Sequence, residues 1–122
     1  MILAVAAAVA GCAPDYWCTI ESADLSIEQR AAFAKYEHAA IDWKNSLISG
    51  APESEDRRHV EALTASAQDF LQVKGNGGKR YLEAWTRNFV TQSASDISDA
   101  DLRLRAAASA RRWAPEAVAY LP

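Results

Sequence analysis

Residues 26–50 read SIEQRAAFAKYEHAAIDWKNSLISG, and this stretch decides the fold class. Ser26 followed by Gln29 is typical of a capping box at a helix start, and Gly50 with Pro52 is typical of a helix end. The apolar residues between these signals recur at spacings of three and four, which places them on one helical face. They are Phe33, Tyr36, Ala40, Trp43 and Leu47, widened by Ile41 and Ile48. The stretch therefore predicts a long amphipathic helix.

The rest of the chain repeats this pattern in shorter pieces. Pro52 and the acidic residues after it predict the start of a second helix that ends at Lys74. Its buried stripe is predicted to be Val60, Leu63, Ala67, Phe70 and Leu71. A glycine-rich turn over residues 75–78 leads into a third helix from about Lys79 to Thr91.

A polar linker over residues 92–97 is predicted to precede the last helix, which runs from Asp99 to about Trp113. Ser98 with Asp101 is the predicted cap of that helix. No segment alternates with period two over the length of a strand. The sequence therefore predicts an all-α protein, a small antiparallel bundle of about four helices with an apolar N-terminal segment.

Length and charge fit a single domain with no strong electrostatic bias. The chain has 122 residues and a net charge of −3, so it has no basic surplus that would indicate nucleic-acid binding. The arginines of the last helix also project to several sides instead of forming one row. They are Arg103, Arg105, Arg111 and Arg112. We expect three parts: an apolar signal-like or packing segment at 1–11, an irregular strap at 12–25 and a helical domain at 26–122.

The N-terminal segment MILAVAAAVA is apolar throughout, and Gly11-Cys12 follows it directly. Ten residues are too few to span a bilayer as a helix, which needs roughly 20. The run has about the length of the apolar region of a signal peptide, although no lysine or arginine precedes it. The other interpretation is an alanine-rich helix that packs on this domain or on a neighbouring chain.

The residues Val9-Ala10-Gly11-Cys12 resemble the lipobox of bacterial lipoproteins. The resemblance implies cleavage before Cys12 and lipidation of that cysteine, which would become the N-terminus of the mature chain. The residue after Cys12 is Ala13 and not an aspartate, which in such lipoproteins implies onward sorting to an outer membrane. The implied location is therefore periplasmic or outer membrane-associated, whereas an uncleaved segment implies a place within a complex or virion.

Cysteine and histidine usage gives no strong sign of a metal or cofactor. Cys12 and Cys18 are close enough for a small disulfide loop, but they form no CxxC pair. Asp56 and His59 lie three apart on one helical face, which is half of the motif that paired-iron bundles use twice. We interpret them as a solvated acidic helix start with a surface histidine, and we expect no metal and no cofactor.

The glycine-rich turn invites comparison with a phosphate-binding loop. Val73 stands where the first glycine of a Walker loop would be, and Arg80 replaces its Ser or Thr. The glycines fit a cap and a turn better. Lys79 and Arg80 remain weak candidates for binding an anion at the helix start.

Four residues are candidates for contact with another protein. Glu37 and Lys44 fall inside the apolar stripe of the first helix, where charges must reach water, pair or meet a partner chain. The ordinary interpretation is that they extend to solvent at a partly open seam. Tyr81 and Trp85 belong to the densest aromatic patch, which could supply a contact surface.

No constellation of residues points to catalysis: neither a G-x-S-x-G elbow nor a recognisable cysteine or histidine site occurs. The leading hypothesis is a small helical membrane-tethered protein that acts by protein–protein contact within a larger assembly, a plan that small helical lipoproteins such as secretin pilotins share. The alternative is an uncleaved structural or adaptor subunit of a virion or multi-protein complex. An enzyme is the third possibility, which a polar pocket gathering His38, His59 and carboxylates would favour.

Overall fold

The computed structural model describes residues 25–115, and these residues form four α-helices. In chain order they are α1 (Ile27–Ile48), α2 (Asp56–Lys74), α3 (Gly78–Asp96) and α4 (Ala100–Trp113), with a 3₁₀ turn at Glu53–Glu55 before α2. No strand occurs between residues 25 and 115. The predicted all-α class is confirmed. The predicted segment at 1–11 lies outside the described residues, as does the strap at 12–25 except for Leu25.

Both ends of α1 follow from the local sequence. Gln29 N–H donates to Ser26 Oγ at 3.1 Å, and Ser26 N–H donates to Gln29 Oε1 at 2.9 Å, so the predicted capping box is present. At the other end Gly50 has a φ of 81°, which glycine adopts without steric cost. The Gly50 and Ala51 amides donate to Leu47 and Ser46 carbonyls, respectively, which is a Schellman motif.

Two predicted boundaries in the second half of the chain are wrong. The polar linker at 92–97 is helical as far as Asp96, because Ser93 is buried and its hydroxyl donates to the Phe89 carbonyl at 2.8 Å. A small serine that satisfies its own hydroxyl can therefore occupy the core side of α3. The cap of α4 is Asp99, not Ser98: the Leu102 amide donates to Asp99 Oδ1 at 2.9 Å.

The side-chain contacts fix the helix directions. Along α1, Phe33 meets Tyr81, Tyr36 meets Trp85, and Lys44 meets Asp96, so α1 and α3 run parallel. Against α4 the order reverses. Trp43 donates to Ser109, whereas Tyr36, which is earlier in α1, contacts Trp113, which is later in α4. Together with the short connections after α1 and α2, these contacts describe an up-down-up-down bundle.

Two pairs of helices pack against each other in different ways. Among the four described helices, the backbones of α1 and α2 lie close together over the greatest length. The small residues Ala32, Ala39 and Ala67 allow this, since they pack beside the core without separating the two helices. Across the bundle, α1 and α3 meet instead through a layer of aromatic rings. We call this layer the ring layer; its members are Phe33, Tyr36, Trp43, Phe70, Tyr81, Trp85, Phe89 and Trp113.

Two buried hydrogen bonds cross the ring layer. The Tyr36 hydroxyl is hydrogen-bonded to the Thr86 hydroxyl, and Trp43 Nε1 donates to Ser109 Oγ at 2.8 Å. Each bond joins α1 to another helix, α3 in the first case and α4 in the second. Because a buried polar group without a partner is costly, these pairs fix which helical faces meet.

Candidate functional site

Lys44 spans the seam between α1 and α3. Its Nζ donates to Asp96 Oδ2 at 2.6 Å and lies 6.0 Å from the centre of the Phe89 ring. The lysine side chain is largely covered, whereas the aspartate is about half exposed. The charge that stood out within the apolar stripe is therefore paired inside the chain, at the open edge of a seam.

Glu37 occupies the same flank of α1 two turns earlier. It is half-buried, and this burial raises the pKa of its carboxyl, with a smaller opposing influence from neighbouring His38. None of the ion pairs found within residues 25–115 includes Glu37. Glu37 is thus a partly desolvated carboxylate that has no ion-pair partner in the described part of the chain.

Ile41 and Ile48 lie on this flank as well and are 44% and 52% exposed. Their prediction as part of the buried stripe is wrong, whereas its five central members are buried as predicted. The reason is angular: each isoleucine is one residue, about 100° of helix rotation, past a fully buried residue (Ala40 or Leu47). We call Glu37, Ile41 and Ile48 the α1 ridge.

Tyr81 and Trp85 lie inside the ring layer. They are only 2% and 8% exposed. Phe33 contacts both edge-on, with ring centres 4.9 Å from Tyr81 and 5.4 Å from Trp85. Their rings therefore pack within the bundle and offer little area to a partner. The exposed large apolar side chains of α1 are instead three isoleucines: Ile27 at the helix start, which is 88% exposed, and Ile41 and Ile48 on the flank that carries Glu37.

The glycine-rich turn borders an open depression of about 600 Å³. Its lining comprises Gly75, Asn76, Gly77, Lys79, Arg80 and Glu83. Lys79 is exposed and its Nζ lies 3.9 Å from a Glu83 carboxylate oxygen. Positive φ angles at Gly75 and Gly77 confirm the predicted turn. Anion binding by Lys79 and Arg80 stays a prediction, with a carboxylate now placed beside the two cations.

Asp56 and Arg105 form the best-enclosed ion pair among residues 25–115. The guanidinium donates to both carboxylate oxygens at 2.8 Å and also to the Pro52 carbonyl at 3.0 Å. This pairing raises the pKa of Arg105, first through the hydrogen bond with Asp56. The interpretation of Asp56 and His59 as a solvated helix start is wrong, because both residues are buried.

A sequence signal for this pair did exist. Arg105 lies next to the apolar Ala106 and about one helical turn after Leu102, at the border of an apolar face of α4, whereas the other arginines of α4 are exposed. A cation at such a border needs an acidic partner on the neighbouring helix. The partner itself could not be chosen, since several acidic residues surround the start of α2.

The two histidines do not share a site. His38 is exposed on α1, whereas His59 is buried on α2, and neither lines the depression at the turn or a second one of about 360 Å³ between α1 and α2. Within the described residues, no three metal-binding side chains come together. Between residues 25 and 115, none of the helices combines the length and apolar character needed to cross a membrane. Cys12 lies outside the described residues.

Comparison of the chain with protein-family models, with curated proteins and with solved structures gives no match. The α1 ridge places two partly exposed isoleucines and a half-buried carboxylate on one flank of the longest helix among residues 25–115.

Proposed function

We propose that this chain is a small lipoprotein whose helical bundle is tethered to a membrane through Cys12 and acts by binding another protein. The observation that carries the proposal is the sequence Val9-Ala10-Gly11-Cys12 directly after an apolar run. The first described helix begins at Ile27, so a stretch of chain separates Cys12 from the helices.

The α1 ridge is the proposed contact surface. Apolar side chains that remain exposed beside the core of residues 25–115 favour burial against a partner, and each fully buried isoleucine contributes roughly 1.5–3 kcal/mol. Glu37 favours a partner that supplies a cation, because its carboxyl is already partly desolvated in the free bundle. The proposed partner is therefore a protein with an apolar strip next to a lysine or arginine.

Lipid attachment is tested by metabolic labelling with a radioactive fatty acid in the native host. The wild-type chain and Cys18→Ser should incorporate label, whereas Cys12→Ser should not. Cys18 is the matched control because it is the other cysteine of the chain. Unlabelled wild type, or equal labelling of Cys12→Ser, would reject the anchor.

The contact surface is tested separately with a photo-crosslinking amino acid placed in cells at Ile41 or Ile48. Ala62 and Gln68, which are exposed on α2, are the control positions. A discrete crosslinked product from the α1 positions alone supports the ridge, and its partner strip should carry a basic residue. Equal crosslinking from α2, or none from α1, contradicts it.

The second candidate is an uncleaved adaptor or structural subunit in which residues 1–11 pack against a neighbouring chain. The feature that supports it is the apolar run Met1–Ala10 itself, which is rich in alanine and could pack as a helix against a neighbour. In that case the native chain keeps its apolar segment, and Cys12 carries no lipid.

A further inference from the structure

The peptide bond between Asn76 and Gly77 lies at the tip of the turn between α2 and α3. The Gly78 amide donates to the Gly75 carbonyl at 3.0 Å and closes a four-residue turn. Gly77 has φ 79° and ψ −6°, which fit the third position of a type II turn. Asn76 and Gly77 are both exposed. Because the Gly78 amide closes the turn, the Gly77 amide is left outside that hydrogen bond.

An asparagine followed by glycine can react with its own backbone. The Gly77 nitrogen gives up its proton to hydroxide and attacks Cγ of Asn76. A new C–N bond closes a five-membered succinimide ring, and the bond from Cγ to the side-chain nitrogen breaks as that nitrogen takes a proton from water and leaves as ammonia, which regenerates hydroxide. Water then opens the ring at one of its two carbonyls, giving aspartate or isoaspartate. Glycine favours the attack because it has no Cβ to obstruct the approach.

Lys74 is placed to assist the first step. Its Nζ donates to the main-chain carbonyl of Asn76 at 3.0 Å. That carbonyl belongs to the same peptide group as the Gly77 nitrogen, so the negative charge left by deprotonation spreads onto the oxygen that the ammonium contacts. A Cβ built on Gly77 would lie 3.9 Å from Lys74 Nζ, which confirms that the cation sits beside the attacking residue.

The other two asparagines of the chain provide internal comparisons. Asn45 and Asn88 are exposed, but each lies within a helix and precedes a larger residue, Ser46 and Phe89, respectively. The backbone amides after them are engaged in helical hydrogen bonds. Neither has a turn glycine or a lysine on its own carbonyl.

We propose that Asn76 is a site of spontaneous deamidation, accelerated by Lys74, which slowly adds a negative charge at the start of α3. Aspartate at this position is favoured by the helix dipole and by Lys74. Isoaspartate instead adds a methylene group to the backbone of a four-residue turn and disturbs its closing hydrogen bond. The fraction of chains that are deamidated at Asn76 would therefore increase with the age of the protein.

The test uses the purified full-length chain, held folded in mildly alkaline buffer and sampled by peptide mapping with mass spectrometry. Asn76 should convert at least about tenfold faster than Asn45 or Asn88. Lys74→Gln should slow conversion at Asn76 by about two- to fivefold, the range of an exposed charge interaction, whereas Lys74→Arg should stay close to wild type. In urea, wild type and Lys74→Gln should react at the same rate.

Conversion at Asn76 that is no faster than at Asn45 overturns the site. A Lys74→Gln chain that reacts as fast as wild type while folded, or that is slower by the same factor in urea, overturns the assisting role of Lys74. Asn76→Gln, which would need a less favourable six-membered ring, should remove the product and verifies the assignment.

Discussion

Arg105 joins three parts of the bundle through a single guanidinium. It contacts both oxygens of Asp56 at the start of α2 and the Pro52 carbonyl in the connection before it. Planar two-point contacts of this kind are geometrically demanding, and a lysine could not reproduce them. The pair therefore fixes how α4 sits against the beginning of α2.

Replacing Arg105 by methionine leaves the Asp56 carboxylate buried without a cation. We expect the free energy of unfolding to fall by about 2–4 kcal/mol, which is typical of breaking a buried pair from one side. Arg57→Met is the matched control, because Arg57 forms only an exposed contact with Glu61 at 3.5 Å. Urea denaturation measures both, and a loss for Arg105→Met no larger than that of the control would contradict a structural role for the pair.

Glu37 should make stability depend on pH. Burial raises the pKa of its carboxyl in the folded chain above the value in the unfolded chain, so the folded state favours the protonated form. Below the unfolded pKa the carboxyl is protonated in both states, and its burial then costs no stability. Above the folded pKa it is ionised in both states, and the full cost of burying the charge lowers the stability. Glu37→Gln should therefore stabilise the protein near neutral pH, but not at acid pH, by less than about 0.5 kcal/mol because the group is half-exposed.

Denaturation at several pH values measures this difference between Glu37→Gln and wild type. Glu61→Gln, which alters an exposed carboxyl on α2, should show no such gain at neutral pH. A gain that grows toward acid pH would have the wrong sign for a carboxyl whose pKa is raised by burial.

The caps and turns of the helices depend on residues that are close together in the sequence, and they can therefore be predicted from it. The capping box at Ser26 and the glycine turn at 75–78 were both predictable, since each depends on residues within a few positions. The α3 extension was not, because Gln92 to Asp96 is polar and only tertiary packing makes room for a buried Ser93. Helical spacing also assigned Ile41 and Ile48 to the apolar stripe, but both lie at its edge and are exposed, because spacing alone does not show how wide the buried face is.

The cap of α4 gives a direct test between two adjacent residues. Asp99→Ala removes the acceptor of the Leu102 amide and should lower the free energy of unfolding by about 1 kcal/mol. Ser98→Ala should cost no more than a few tenths of a kcal/mol, because Ser98 is exposed and precedes the cap. Thermal or urea denaturation measures both, and the reverse ranking would return the cap to Ser98.

For the whole molecule, the ring layer decides how the four helices fit together. Phe33 has ring contacts with Phe70 on α2 and with Tyr81 and Trp85 on α3, at centre distances between 4.9 and 5.4 Å. A single side chain from α1 thus contacts two other helices. The sequence predicted that these residues are apolar and helical, but not that α1 and α3 would meet across the bundle through rings.

Phe33→Ala should lower the free energy of unfolding by about 3–5 kcal/mol, because it opens a cavity among rings that cannot close around it. Urea curves followed by tryptophan fluorescence and by far-ultraviolet circular dichroism should still coincide, as expected of one cooperative unit. A loss below about 1 kcal/mol would mean that the ring layer tolerates the missing side chain. Separate curves would mean that the bundle is not a single unit.

The sequence predicted part of the candidate site, but the contacts between residues far apart in the chain could not be predicted. The sequence pointed to Glu37 and Lys44 because charges interrupt an apolar stripe. It could not show that Lys44 is paired with Asp96, which is far along the chain, or that Tyr81 and Trp85 are buried. The α1 ridge can be recognised only in the structure, because the packing of the helices determines that Ile41 and Ile48 stay exposed at the edge of the core.

The tethering claim is tested most directly by the intact mass of the protein isolated from its native source, together with fragmentation of its N-terminal peptide. We expect a mature chain that begins at Cys12 and carries the added mass of a lipid on that residue. A native chain that retains Met1–Gly11 with an unmodified Cys12 would contradict it.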